Sequence, residues 1–140
     1  MYKKNIWHTC DADKKSKIMK FNDKYMDFLS NGKTERECVK ESVALAEAQG
    51  FKPLDAYESL KSGDKVYVVN KNKNIALFII GKKSLTEGLR ILGAHIDSPR
   101  IDVKQNPLYE KDGFALLDTH YYGGIKKYQW GTISLAFHGV

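Results

Sequence analysis

Long hydrophobic runs are missing from this sequence. The most apolar stretch, Ile75 to Ile80 (IALFII), has six residues, far short of the ~20 that would span a bilayer, so no membrane crossing is expected. Cysteine is scarce: Cys10 and Cys38 are the two present. They show no C-x-x-C spacing, and the opening MYKKNIWHTC has no apolar signal-peptide run, so the cytosol is the expected compartment. No G-x-S-x-G elbow occurs and neither cysteine lies in a recognisable catalytic context, which removes nucleophilic catalysis. The phosphate-cradling patterns G-x-x-x-x-G-K-[ST] and G-x-G-x-x-G are absent as well. Internal repeats and low-complexity segments are lacking. Metal chemistry is the class of reaction that survives these exclusions.

What is present describes a globular chain. At 140 residues, 42% hydrophobic and 29% charged, its composition is that of folded rather than disordered chains. A domain of this length buries roughly two thirds of the surface its unfolded chain would expose. The formal net charge is +6, from 23 Lys+Arg against 17 Asp+Glu, and the lysines are scattered rather than gathered in a tract. Scattered lysines mostly solvate a surface, so nucleic acid is not the expected partner.

Between Asp13 and Leu29 the apolar residues Ile18, Met19, Phe21, Tyr25, Met26, Phe28 and Leu29 recur at spacings of three and four, the pattern of an amphipathic helix. Asn31-Gly32 is expected to end it, with Gly32 in the left-handed conformation of a C-cap. Thr34-Glu35-Arg36-Glu37 is a capping box that opens a second helix. Cys38, Val39, Val43, Leu45 and Ala46 give that helix an inner face, and Gly50 stops it. The period then changes. Lys65 to Val69 and Asn74 to Ile80 read as an antiparallel hairpin around the polar NKNKN. Leu89 to Ala94 (LRILGA) reads as a third strand whose end carries His95. Beyond Pro99 the texture is β-rich: Asn106-Pro107 and Asp112-Gly113 are turn dipeptides, Phe114 to Leu117 is a candidate strand, and Thr132 to Val140 a last one. The sequence stops inside an apolar run, which suggests a truncated or fragmentary product.

His95-Ile96-Asp97 is the pair most able to carry metal chemistry. Residues two apart on an extended segment face one side, so both groups can serve as ligands, or His95 can ligate while Asp97 accepts its other N–H. A strand end is also where open α/β sheets place their sites. A catalytic zinc needs three protein ligands and a water, and one histidine cannot hold it unaided. His8, His120 and His138 read as a terminal histidine and two strand histidines. Tyr121-Tyr122-Gly123-Gly124, with Tyr128 and Trp130, forms an aromatic cluster suited to a buried patch or a subunit contact.

GAHIDSPRIDVKQNPLYE, DTHYYGGIKKYQW and ISLAFHGV together resemble the N-terminal third of bacterial M18 family aminopeptidases, relatives of aspartyl aminopeptidase. The resemblance covers nearly the whole chain, and H-x-D-S-P-R followed in order by Y-G-G and K-Y-x-W carries it. It implies a dinuclear zinc exopeptidase that removes N-terminal residues from peptide substrates. His95 would ligate one zinc, and Asp97 would orient and polarise that imidazole as a catalytic residue. The remaining ligands and the glutamate base would lie beyond Val140. The implied fold is α/β: residues 1–99 form the N-terminal part of a catalytic domain (two helices, a β-hairpin and the metal-bearing strand), and 100–140 begin a β-rich dimerisation domain. Full-length members are expected to be homo-oligomers. The rival reading is a non-catalytic interaction fragment or a weak basic nucleic-acid-binding module, in which Tyr121, Tyr128 and Trp130 interleaved with Lys126 and Lys127 would stack single-stranded bases.

Overall fold

The computed structural model describes residues 3–96 and 98–139. Asp97 of the H-x-D pair and Val140 therefore lie outside the described residues. The architecture of the described residues is α/β, with two long and two four-residue α-helices, a small three-stranded sheet, and a separate two-stranded ribbon.

A short helix α1 (Ile6–Thr9) leads into α2 (Ala12–Asn31). Asp11 caps α2 by accepting the Lys14 N–H at 2.7 Å, which satisfies one of the orphan donors of the first turn. The helix ends where the sequence predicts, but by a different device. Gly32 donates its N–H to the Phe28 carbonyl at 2.9 Å with φ −95° and ψ 77°, so it is not left-handed. Glycine is needed there for room, because a Cβ at Gly32 would stand 2.7 Å from Cys38 Sγ. Gly32→Ala is expected to cost about 1–3 kcal/mol through forced movement of α3 against α2. Thermal melting tests it, and an unshifted midpoint would count against the close approach.

Helix α3 (Glu35–Ala48) opens with the expected capping box, shifted by one residue. The Glu37 N–H donates to Thr34 Oγ1 at 3.3 Å, while the Glu37 carboxylate accepts from the Lys33 N–H at 3.0 Å, in place of the Thr34 N–H, and from the Thr34 hydroxyl at 3.2 Å. Cys38, Val39 and Ala46 are buried as the apolar spacing requires. Leu45 is not: it is 58% exposed. Neighbours on a helix diverge by about 100°, and with Ala46 buried Leu45 is carried to the helix flank. Gly50 adopts φ +83°. That conformation lets the Phe51 N–H fold back to the Ala46 carbonyl at 3.0 Å and close the helix.

The sheet places β1 (Lys52–Pro53) parallel to β2 (Lys65–Asn70), and β2 antiparallel to β3 (Asn74–Ile79). Asn70 pairs with Asn74, and Lys71 and Asn72 take positive φ in the loop, as a polar Lys-Asn turn allows. Val66 on β2 is 1% exposed and sits at the centre of the core, with α3 packed on the hairpin. The core is small: Cys38, Val39, Ala46 and Val66 are its buried apolar residues among those described.

Three strand expectations need correction. Leu89 to Ala94 forms no strand, and Ile91 and Leu92 are 84% and 101% exposed. Apart from Arg90 its residues are apolar or small on both faces, the pattern of a strand covered on both sides, and no described strand lies beside it to complete its hydrogen bonds. Asn106-Pro107 is not a turn but lies inside β4 (Arg100–Lys111), which pairs with β5 (Phe114–Tyr122). Between the Val103–Thr119 and Leu108–Leu117 pairs the register shifts, so that Lys104 to Pro107 face Asp118 alone. Proline has no N–H to give to a ladder, which is why it falls in this bulge. The Asp112-Gly113 turn is as expected, with φ of 54° and 80° in a two-residue hairpin loop. Thr132 to Gly139 is neither strand nor helix; a short helix α4 (Lys127–Trp130) precedes it.

Candidate functional site

The structure assembles its densest polar network one step beyond the H-x-D pair, around Arg100. The Arg100 Nε donates to Asp102 Oδ1 at 2.7 Å, Nη2 to Glu35 Oε1 at 3.2 Å, and Nη1 to the Ser98 carbonyl at 3.2 Å. Its guanidinium carbon stands 4.0 Å from the Tyr122 ring centroid. One planar fork thus ties the first turn of α3, the start of β4, the end of β5 and the segment leaving His95. Burial disfavours the charge of Arg100, but Asp102 and Glu35 outweigh it and hold its pKa above the ordinary value. Ser98 is buried with its Oγ 4.0 Å from Cys38 Sγ, which in turn donates to the Gly32 carbonyl at 3.3 Å. The S-P-R text of the sequence is thereby anchored to the α2–α3 junction.

A second link closes the other side. His138 Nδ1 stands 2.8 Å from Glu37 Oε1. That hydrogen bond is the main reason the Glu37 carboxyl sits below its usual range, with the Lys33 N–H and the Thr34 hydroxyl helping and partial burial opposing. The segment 134–139 thereby borders a cleft of about 890 Å³, whose walls include Leu29, Pro99, Ile101, Leu117, Trp130 and Leu135. The sequence predicts a strand histidine at His138; in the structure it is a tether to α3 instead.

His95 lies outside that cleft, solvent-exposed on the irregular segment. The other metal-capable groups do not join it. Asp11 caps α2, His120 lies opposite Asp102 on the ribbon, and His138 bonds Glu37. Among the described residues, no three His, Cys, Asp or Glu side chains converge to hold a metal ion. These residues do not supply the donor set of a catalytic zinc. The aromatic cluster divides its work. Tyr122 receives Arg100, Tyr121 carries the Lys127 ammonium 4.0 Å above its ring, and Trp130 is half-buried on the cleft wall. One face of each of these two tyrosines thus meets a cation, whereas Tyr128 is 77% exposed.

The family described as "Aminopeptidase I zinc metalloprotease (M18)" matches residues 28–140. The chain belongs to the M18 family. Among M18 relatives, a probable M18 family aminopeptidase 1 of Clostridium acetobutylicum is 52% identical over 98% of this chain and 30% of the relative. One from Thermotoga maritima is 47% identical over 100% of this chain and 30% of the relative. The M18 fold also matches in space. The crystal structure of aminopeptidase I from Borrelia burgdorferi B31 superposes with a TM-score of 0.83 at 37% identity, covering 91% of this chain and 31% of that one. The aminopeptidase from Thermotoga maritima gives 0.79 at 45% identity, over 93% of this chain and 28% of that one. This chain spans about three tenths of the length of the M18 relatives it matches. Among the described residues, no helix is long and apolar enough to cross a membrane.

Arg100 stands in the Ser98-Pro99-Arg100 stretch of the motif, but its part as an organising residue is not legible there. The signal was an arginine next to a buried turn with Asp102 two residues on, but Glu35 lies 65 positions away. Only folding brings it into reach.

Proposed function

We propose that this chain supplies the N-terminal part of a cytoplasmic zinc-dependent aminopeptidase that releases N-terminal residues from peptides. The family match over 28–140, with H-x-D-S-P-R inside it, carries the reading. In it His95 contributes one zinc ligand and Asp97 holds its imidazole. The other ligands and the general base come from the part of an M18 chain that this sequence does not span. Residues 1–99 belong to the catalytic domain and 100–140 open the second, β-rich one, through which full-length chains assemble as homo-oligomers.

A zinc titration of the 140-residue chain tests the assignment of His95. One imidazole and one carboxylate fall short of a three-ligand site, so binding is expected to be weak, in the range of about 10⁻⁴ M or above, and lost in His95→Ala. Tight stoichiometric binding that survives His95→Ala would place the metal elsewhere. The isolated chain with added zinc or cobalt is expected to hydrolyse no aminoacyl substrate. The intact mass of the native protein decides whether these residues act alone or as part of a longer chain.

A further inference from the structure

The first turn of α3 carries two carboxylates, Glu35 and Glu37, and each is met by a side chain from beyond Pro99. Arg100 reaches Glu35 at 3.2 Å and His138 reaches Glu37 at 2.8 Å. The two reaches differ in kind. Arg100 is shared among three acceptors and stays charged whatever the pH. The second is a single hydrogen bond between two groups that both titrate. Little else holds the segment that carries His138. Among the described residues, 132–139 is tied by that bond and by the Thr132 hydroxyl, which donates to the Gln129 carbonyl at 3.3 Å. Leu135 and Phe137 are 53% and 83% exposed, so packing does not fix it.

We propose that Glu37 and His138 form a pH-operated catch, which when closed holds residues 134–139 as a wall of the cleft that Trp130 lines, and when Glu37 is protonated lets that wall go. An ionised carboxylate accepts from the imidazole N–H in a charge-assisted bond, and a protonated carboxyl is a weaker, neutral acceptor. The Glu37 carboxyl sits below its usual range chiefly through the hydrogen bond from His138, against which burial works, with the charge of His138, the Lys33 N–H and the Thr34 hydroxyl adding to it. A carboxylate whose folded value is depressed contributes fully above its unfolded value, about 4.3, and that contribution is lost as the pH falls through the folded value. The catch is therefore closed at neutral pH and opens in acid. Other charges do not take its place. Around the cleft stand Lys33 from the α2–α3 junction and Arg100 with Asp102 from β4. Arg100 is engaged by Asp102 and Glu35. Arg36, Lys40 and Glu41 share the helix, with Arg36 turned to the Lys71 carbonyl of the hairpin loop. Among the described residues, His138 is the ion-pair partner of Glu37.

The chain has two tryptophans, so Trp7→Phe leaves Trp130 as a reporter of the cleft. Both side chains of the catch are about one third exposed, and a pair so placed shifts an opening equilibrium by about two- to fivefold. Acrylamide quenching of Trp130 is expected to rise by about twofold between roughly pH 6.5 and pH 3.5, while far-ultraviolet circular dichroism holds. Glu37→Gln keeps an acceptor for the Lys33 N–H, so α3 remains capped, and it should remove the acid step. His138→Ala should quench at the open value at both pH values. An acid step that survives Glu37→Gln, one that takes the circular dichroism with it, or no step at all overturns the catch. So does a His138→Ala chain that quenches as the parent does at neutral pH.

Discussion

Val66→Asp is expected to abolish the cooperative melting of α3 and the β2–β3 hairpin. Val66 is 1% exposed and belongs to a core whose other buried apolar residues, among those described, are Cys38, Val39 and Ala46. A carboxylate there would have to remain ionised without a partner or take up a proton, and an uncompensated buried charge costs about 3–5 kcal/mol. Domains have 5–15 kcal/mol in total as a rule of thumb of roughly that order, and a chain with so little buried apolar surface lies toward the low end. Val66→Thr, close in volume but adding a hydroxyl, should cost about 1–2 kcal/mol. Circular dichroism against temperature measures both. A Val66→Asp chain that melts as the parent does would mean that the α3–sheet packing is not what holds this part together.

Arg100→Ala should have the next largest effect, about 2–3 kcal/mol, between the values for exposed and for buried ion pairs because its side chain is 22% exposed. The loss leaves Glu35 and Asp102 facing one another's neighbourhood without their shared cation, and it frees the Ser98 carbonyl and the Tyr122 ring. The diagnostic readout is regional. Hydrogen exchange should rise at the start of β4 and the end of β5 while β2 and β3 keep their protection. Arg100→Lys is expected to recover only a minor part, since one ammonium cannot reproduce a planar fork that reaches three acceptors in different directions. A double-mutant cycle with Glu35→Gln should return a coupling of about 0.5–1.5 kcal/mol. Strict additivity there would show that the contact at 3.2 Å contributes nothing to stability.

The two corrections that matter most have a common origin. Leu89–Ala94 has the composition of a strand, and composition is a statement about what a segment can bury. Whether it is a strand depends on a neighbour to bond its N–H and C=O groups, and the described residues provide none. Thr132 to Gly139 fails as a strand for the same reason and is tied instead by His138 to Glu37 near one end and by the Thr132 hydroxyl to the Gln129 carbonyl at the other. Asn106-Pro107 shows the converse: a turn dipeptide was absorbed into a twelve-residue strand because a bulge on one side of a ladder accommodates a residue that cannot donate.

Local chemistry made several features readable from the residues alone. The Thr34–Glu37 box, the stop at Gly50, the β2–β3 hairpin and the Asp112-Gly113 turn each depend on groups within a few positions of one another, so the sequence contains both partners of every interaction. The ordered motifs from His95 to Trp130 likewise determined the family. Contacts across distance were decided only by the tertiary structure. Gly32 is required for its closeness to Cys38 rather than for a left-handed turn. Arg100 joins Glu35 to Tyr122, and His138 joins Glu37. The placement of His95 belongs to the same class, because a lone histidine on a segment without strand partners becomes part of a metal site only when other parts of a fold surround it.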